Sequence, residues 1–175
     1  MSAPELPTIF SGKVITVLFW LLMMGSLTLF FNGFIQQRDN PNRALQATDS
    51  VTGQVTLERN RAGHYLAPGL INGYPVNFLL DTGATHVSVP AGLAKEAGLK
   101  QGRRSMVSTA NGVVDVYQTT LDSVQLGGIH LTNIRASINP HMSDEVVLLG
   151  MSFMKHLDII QRDGMLTLTI PESGY

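Results

Sequence analysis

The stretch NFLLDTGAT, residues 77–85, decides how this chain folds and what it does. An apolar run ends in one carboxylate, Asp81, which is followed by the hydroxyl of Thr82 and by Gly83. Glycine lets the backbone turn tightly, and a threonine hydroxyl can brace such a turn by hydrogen bonding. A carboxylate at the edge of an apolar core, near a second carboxylate, is disfavoured in its charged form. The stretch therefore predicts an aspartate that is positioned for proton transfer.

Composition excludes several classes of protein. The chain has 175 residues and a net charge of −1, which fits one ordinary domain plus additional segments. Its arginines are scattered and form no basic patch, so no nucleic-acid partner is expected. The absence of cysteine excludes disulfides, thiolate zinc sites and a cysteine nucleophile, but it leaves the redox compartment open.

The N-terminal region predicts a membrane anchor. Residues 1–13 form a polar segment, and residues 14–35 carry no charge and are long enough to cross a bilayer of about 30 Å as a helix. A cleaved signal peptide is the alternative, but the apolar region exceeds the usual length of about 7–15 residues and no small-x-small site follows it. Lys13 stands on one side, and Arg38 and Arg43 stand on the other, so charge does not decide the orientation.

The rest of the chain predicts an all-β domain behind a linker. Residues 36–52 are polar, without apolar periodicity, and are expected to form a flexible linker. From 53 to 171, short alternating or apolar runs are separated by glycine turns, which is typical of β-structure. The pair Asn72-Gly73 predicts a hairpin that leads directly into Asp81. The predicted strands are 54–58, 64–71, 74–80, 85–89, 105–110, 113–121, 123–126, 129–131, 134–138, 146–149, 157–160 and 165–170, with short helices at 90–98 and from 151.

Two further motifs stand downstream of the aspartate. Asn111-Gly112 predicts a second hairpin with a small, polar and flexible tip. Residues 146–150, Val-Val-Leu-Leu-Gly, predict an apolar strand that ends in a glycine able to approach another backbone closely. Each of these motifs alone is also compatible with an ordinary surface hairpin or core strand. Their order after Asp81 makes the combination informative.

These motifs resemble those of the retropepsin-like (retroviral-type) aspartic protease family. The similarity covers residues 53–170, and the N-terminal span and the Asp-Thr-Gly-Ala motif resemble the membrane-anchored bacterial branch. The resemblance implies an all-β acid protease barrel behind a single transmembrane helix. It implies that Asp81, Thr82 and Gly83 are catalytic and that a flap binds substrate. The implied flap residues are Thr109, Ala110, Asn111 and Gly112, and the implied supporting residues are Ala84, Leu148, Leu149 and Gly150.

Proteases of this class use two carboxylates that share one proton. This chain carries a single Asp-Thr-Gly, so the resemblance implies a homodimer in which Asp81 meets its copy at a two-fold axis. The remaining acids are expected to be solvated or to cap turns: Asp115, Asp122, Asp144, Asp158 and Asp163. No metal or cofactor is expected. The expected partners are a peptide or protein substrate, a second copy and membrane lipid, with the protease domain on the periplasmic side of a bacterial inner membrane.

Other functions are weighed against this one. The five histidines include no His-Glu-x-x-His, which disfavours a zinc hydrolase, and the surroundings of Ser152 depart from Gly-x-Ser-x-Gly at the last glycine, which disfavours a serine hydrolase. A non-catalytic, membrane-tethered module that keeps the fold to bind an extended peptide remains open. So does an enzyme that stays inactive until it dimerises.

Overall fold

The computed structural model describes residues 12–45, 53–109 and 112–171, and the chain divides into two units, residues 1–38 and 39–175. The described residues of the first unit, 12–38, all belong to helix α1, which begins at Gly12 and ends at Asp39. Within the described ranges, Gly12–Phe31 is the single helical stretch that is long and apolar enough to cross a membrane, and its side chains are exposed. The hydroxyls of Thr16 and Thr28 donate to carbonyls one turn earlier, so these polar groups are satisfied within the helix.

The second unit is built almost entirely from short strands. Its described residues form ten strands and two short helices. The strands are β1 (Gln54–Glu58), β2 (Leu66–Ile71), β3 (Tyr74–Leu80), β4 (Val87–Pro90), β5 (Arg104–Thr109), β6 (Gly112–Leu126), β7 (Ile129–Asn139), β8 (Val147–Leu149), β9 (Asp158–Arg162) and β10 (Met165–Thr169), and the helices are α2 (Ala91–Glu96) and α3 (Met151–Met154).

Seven of these strands form a sheet that closes into a barrel. Their order is β2-β3-β8-β4-β7-β6-β5, and β2 also pairs with β6 through Leu70 and Gln125. That second pairing closes a ring of six strands and leaves β5 outside it, attached only to β6. Strands β3 and β8 run parallel, as do β4 and β7. The barrel places the end of β3 beside the end of β8, where two of the sequence motifs lie.

The interior of the barrel is apolar. Alternation along the strands sends one set of side chains inward, as expected for strands with one buried face. Residues exposed by 1% or less include Phe78, Val87, Val89, Leu121, Ile138 and Leu149. Gly69 of β2 lets the Phe78 ring of β3 pack closely against its backbone, because a Cβ at Gly69 would lie 2.8 Å from Cδ2 of that ring. Dense packing of this kind fixes the strands that carry the site.

The three remaining strands form a separate sheet in the order β1-β10-β9. Strands β1 and β10 alternate and bury Val55, Leu57, Leu166 and Leu168. Strand β9 lies at the edge of this sheet, and all five of its residues are exposed. The predicted hairpin at Asp163-Gly164 joins β9 to β10, with φ of 51° and 80° at its two turn residues.

The structure confirms the all-β fold and most predicted strands, and it corrects three details. The predicted strands 113–121 and 123–126 belong to the one strand β6, and 129–131 and 134–138 belong to β7. Pairing between β6 and β7 is interrupted only at Asp122 and Asn133 and then resumes in the same register. Asn133 has φ of 55°. These two polar residues therefore mark a local irregularity within continuous strands. In the second hairpin, Gly112 already opens β6 and pairs with Thr109, whereas the prediction placed it in the turn.

Part of the segment treated above as a linker packs on the domain. The side chain of Asn42 is 9% exposed. Its amide group donates to the carbonyls of Glu58 and Leu66 at 2.9 and 2.8 Å, and its oxygen accepts the Glu58 N–H at 2.8 Å. These three bonds tie the chain shortly after α1 to the start of the β-domain. The function of residues 46–52 as a linker lies outside the described residues.

Candidate active site

Asp81 is held at the barrel end by the neighbouring strand. Leu80, the last residue of β3, pairs with Leu149 of β8. The next N–H, that of Asp81, donates to the carbonyl of Leu149 at 3.2 Å. The parallel ladder thus continues one residue beyond the strand and fixes the Asp81 backbone, while its side chain remains half-buried. The apolar run before Asp81 is therefore the wall of the barrel, as the sequence predicts.

The turn after Asp81 is braced by the carboxylate itself. Its Oδ1 accepts the N–H of Gly83 at 2.8 Å, and its backbone carbonyl accepts the N–H of Ala84 at 3.2 Å. Such a side-chain turn is typical of aspartate, whose short carboxylate reaches the backbone two residues later. Thr82 and Gly83 are both exposed. The turn thus presents a threonine hydroxyl and a glycine backbone to the outside of the single chain.

Helix α3 supports the same loop from beneath. The N–H groups of Met151 and Ser152 donate to the carbonyls of Ala84 and Thr85 at 2.8 and 2.9 Å. Gly150 precedes the helix, and a Cβ at this position would lie 2.6 Å from the Ala84 carbonyl oxygen and closer still to that of His86. Only glycine allows this approach, so Gly150 lies directly against the backbone of the Asp81 loop.

Ser152 is a supporting residue that sequence reasoning considered only as a nucleophile. Its side chain is 9% exposed. Its hydroxyl donates to the Arg135 carbonyl at 2.7 Å and accepts the Val87 N–H at 2.9 Å. The hydroxyl thereby joins α3 to β7 and to the strand that leaves the Asp81 loop. No local pattern in the sequence signals this, because its two partners are backbone groups that are distant along the chain.

Strands β5 and β6 pair as a hairpin, from Arg104 opposite Tyr117 to Thr109 opposite Gly112. Met106 and Val113 are 74% and 67% exposed, which is unusual for large apolar side chains in a short hairpin. Toward the tip, the Thr109 hydroxyl donates to the Gly112 carbonyl at 2.8 Å. The other two predicted flap residues, Ala110 and Asn111, lie outside the described residues. The hairpin thus exposes an apolar side chain on each of its strands, Met106 on β5 and Val113 on β6.

A cleft of about 1000 Å³ lies between this hairpin and the loop before it. Thr85 and His86 line it from the Asp81 loop, and Ser105–Ser108 line it from β5. Lys100, Arg103 and Arg135 line it too, together with the acidic Asp122. Asp81 does not line this cleft in the single chain. Thr85 and His86, which do line it, belong to the same loop as Asp81. The cleft can accommodate several residues of an extended peptide.

The other acidic side chains have local roles. Asp144 accepts the Gly92 N–H at 2.9 Å, which anchors the start of α2. Asp115 pairs with Arg104 on the adjacent strand β5, and this hydrogen bond lowers the pKa of Asp115 below its ordinary value. Across the described ranges, no three His, Cys, Asp or Glu side chains come together in a way that could hold a metal ion.

Comparison with known proteins identifies the family. The profile of the gag-polyprotein putative aspartyl protease family matches residues 67–156, which is half of the chain and includes both the Asp81 loop and Gly150. The chain belongs to this aspartyl protease family. A crystal structure of a retropepsin-like aspartic protease from Rickettsia conorii aligns with the domain at a TM-score of 0.55 and 26% identity, over 66% of this chain and 88% of that one. The domain therefore has the retropepsin-like fold.

Two bacterial proteins are similar in sequence to this chain, and their names assign them no activity. A Sinorhizobium sp. protein described by its position in the cobV 5′ region is 31% identical over 69% of this chain and 54% of its own length. A Rickettsia prowazekii protein is 26% identical over 59% of this chain and 45% of its own. The chain thus spans about half the length of the curated relatives that it matches.

Proposed function

We propose that this chain is a membrane-anchored aspartic endopeptidase whose two Asp81 carboxylates meet at a homodimer interface. The observation that carries the proposal is the support of the Asp81 loop. The loop is fixed by the Leu149 carbonyl on one side and by the first N–H groups of α3 on the other, in a chain that belongs to an aspartyl protease family. A rigidly held carboxylate at a barrel end is what proton transfer requires.

The reaction needs two such carboxylates. At about 3 Å, two carboxylates cannot both be charged, so one ionises and the other keeps its proton. The ionised Asp81 takes a proton from a bound water, which attacks the scissile carbonyl, while the protonated Asp81 of the other chain donates a hydrogen bond to that carbonyl. The roles then exchange as the amine leaves. No covalent intermediate forms, and the protein's own side chains supply every proton transfer.

The neighbouring residues have roles that follow from their positions. The exposed Thr82 hydroxyl would brace one turn against its copy, and the Gly83 backbone would border the scissile bond. The flap, Thr109 to Gly112, would close over the peptide and donate backbone hydrogen bonds to it, which is the usual function of a mobile hairpin in such enzymes. Ala84, Leu148, Leu149 and Gly150 would hold the Asp81 loop in place.

The anchor determines where the enzyme acts. A helix long and apolar enough to cross a bilayer precedes the domain, and the relatives are bacterial. We place the protease domain on the periplasmic side of an inner membrane. Confinement to a membrane raises the effective concentration of the two chains, which favours a dimer with little need for extra contact area.

Peptide cleavage by the full chain in detergent micelles tests the proposal. A mixed peptide library is incubated with the wild type and with Asp81→Asn over acid to neutral pH and at several protein concentrations. We expect cuts that Asp81→Asn abolishes and whose rate rises faster than linearly with protein concentration while dimers are scarce. A dimeric, folded wild type that cuts nothing would overturn the proposal and favour a peptide-binding module. Cuts retained in Asp81→Asn would exclude Asp81 as the catalytic group.

A further inference from the structure

The floor of the cleft is the outer face of two neighbouring strands. Leu121 of β6 and Ile134 of β7 lie opposite each other and are buried inside the barrel. Side chains alternate between the two faces of a strand, so the next pair, Thr120 and Arg135, points to the outside. Both of these residues are exposed, and both line the cleft. Arg135 therefore stands on a paired strand in the floor of the cleft.

Strand pairing sets the distance between this arginine and the catalytic loop. The end of β3 is level with β8, β4 and β7 in turn, through the pairs Leu80–Leu149, Leu148–Ser88 and Val87–Ala136. One residue beyond these pairs, Asp81, His86 and Arg135 lie in one row across the sheet. Neighbouring strands lie about 4.8 Å apart, so three spacings put Arg135 about 14 Å from Asp81. An extended peptide covers about 14 Å in about four residues.

The wall of the cleft carries two more cations, Lys100 and Arg103. Both belong to residues 98–103, which lead into β5 and line the cleft. Three hydrogen bonds fix this segment to β6: the Thr119 hydroxyl donates to the Lys100 carbonyl at 2.8 Å, the Gly102 N–H donates to the Gln118 carbonyl at 2.8 Å, and the Gln118 N–H donates to the Arg103 carbonyl at 2.9 Å. The two cations are thus held beside the floor by a fixed backbone.

The three cations have no acidic partner within the described part of the chain. The one ion pair between described residues joins Arg104 to Asp115, and neither of these two residues lines the cleft. The lining contains a single carboxylate, that of Asp122, which accepts a hydrogen bond from the Asn72 side chain at 3.4 Å. Three cations against one carboxylate leave the lining with an excess of positive charge.

We infer that this cleft selects substrates with an acidic side chain about four residues from the cleaved bond, and that Arg135 binds that side chain. The inference rests on the proposed function and names the substrate class of the same site. The planar guanidinium of Arg135 offers a fork of donors that matches a carboxylate. Lys100 and Arg103 add to the attraction and repel a basic side chain. In a homodimer each chain contributes one cleft, so an acidic residue on either side of the cleaved bond is bound.

Cleavage of matched peptides by the full chain in detergent micelles tests the preference. Each peptide that the wild type cuts is made with Asp or Glu, or with Asn or Gln, at one position about three to five residues from the cut. We expect the acidic form to have a kcat/KM about fivefold higher, mainly through a lower KM, and this ratio should shrink as salt screens the charges. Equal kcat/KM for the two forms at every position would overturn the inference.

Substitution of Arg135 tests its part in the preference. Its carbonyl, which accepts the Ser152 hydroxyl, belongs to the main chain and is kept in any variant. Arg135→Gln should lower the ratio of kcat/KM between acidic and neutral forms to less than half, and Arg135→Glu should favour a lysine at the same position. Arg61→Gln, in an exposed turn outside the cleft lining, is the matched control and should keep the wild-type ratio.

Each ratio compares two peptides on one variant, so a smaller fraction of folded protein does not change it. A general loss of packing would lower cleavage of both peptides together. Only a direct charge contact reverses the preference when the charge at residue 135 is reversed. A wild-type ratio in both Arg135→Gln and Arg135→Glu would overturn the assignment of Arg135.

Binding without cleavage separates the inference from the proposed function. Fluorescently labelled acidic and neutral forms of the library peptides are mixed with Asp81→Asn, and anisotropy gives the two Kd values. We expect the acidic form to bind about fivefold more tightly. If the wild type cuts no peptide while Asp81→Asn shows this difference, the selectivity of the cleft stands and the protease proposal fails. If the wild type cuts both forms equally well, the protease proposal stands and the inference fails. Equal binding of the two forms, or no binding of either, also contradicts the inference.

Discussion

Replacing Gly150 by alanine adds one methyl group beneath the Asp81 loop. Gly150 has φ of −88° and ψ of −174°, which alanine adopts without strain, so the effect of the change is steric. The new Cβ would lie 2.6 Å from the Ala84 carbonyl oxygen, against an ordinary contact of 3.4 Å or more. The blocking atoms belong to the main chain of the loop and cannot rotate away as a flexible side chain would.

The size of the effect follows from that distance. The loop must move by at least about 0.8 Å to restore an ordinary contact with the Ala84 carbonyl oxygen, and by more at the closer oxygen of His86. Overpacking of this kind typically lowers the free energy of unfolding by about 1–3 kcal/mol. A displacement of about 1 Å in catalytic geometry lowers the rate by about 100-fold, so the turnover of the folded variant should fall by roughly 30- to 100-fold. Substrate affinity should change less, because Thr85 and His86 are the part of the cleft lining that belongs to the displaced loop, and most of the lining belongs to β5, β6, β7 and residues 98–103.

The assays are urea unfolding followed by circular dichroism and peptide cleavage with kcat and KM measured separately. Gly25→Ala is the matched control, since a Cβ at Gly25 meets nothing within 4 Å and the same atoms are added in an exposed helix. That control should retain wild-type stability and turnover. If Gly150→Ala also retained both, the close approach of Gly150 to the Asp81 loop would not be a requirement of the fold or of the site, and the steric reasoning would be refuted.

Three further predictions concern individual hydrogen bonds. Ser152→Ala leaves one buried donor and one buried acceptor without their hydroxyl partner, so urea unfolding should show a loss of about 1–3 kcal/mol, whereas the exposed Ser143→Ala should stay within about 0.5 kcal/mol. Tyr65→Phe removes a buried hydroxyl that has no hydrogen-bond partner among the described residues. The free energy of unfolding should therefore stay equal or rise by up to about 1 kcal/mol. A fall of more than about 1 kcal/mol would show that the hydroxyl has a partner. The hydrogen bond to Arg104 lowers the pKa of Asp115. At pH values above the ordinary aspartate pKa the pair therefore stabilises the hairpin of β5 and β6. This stabilisation is lost as the pH falls through the lowered pKa. A carboxyl titration by nuclear magnetic resonance should place the Asp115 midpoint below about 3.9, and Arg104→Gln should return it toward that value.

The parts of the fold that follow from the sequence are those with local causes. Asn72-Gly73 forms the predicted hairpin because both residues adopt positive φ, at 50° and 80°, which few other residue pairs allow at low cost. The runs before Asp81 and Gly150 form strands as expected for short apolar runs that are bounded by turn residues. The helix from Gly12 follows from length and apolarity alone. In each case a short window of sequence contains the whole physical reason.

The parts of the fold that do not follow from the sequence depend on contacts between residues that are far apart along the chain. Closure of the barrel depends on Leu70 meeting Gln125, and nothing near either residue signals that pairing. The continuity of β6 past Asp122 depends on a partner strand that holds its register across a polar interruption. Asn42 and Ser152 look like loop and helix-start residues, yet each bonds to backbone groups that the fold brings to it. Long-range contacts of this kind are decided by packing and leave no local pattern.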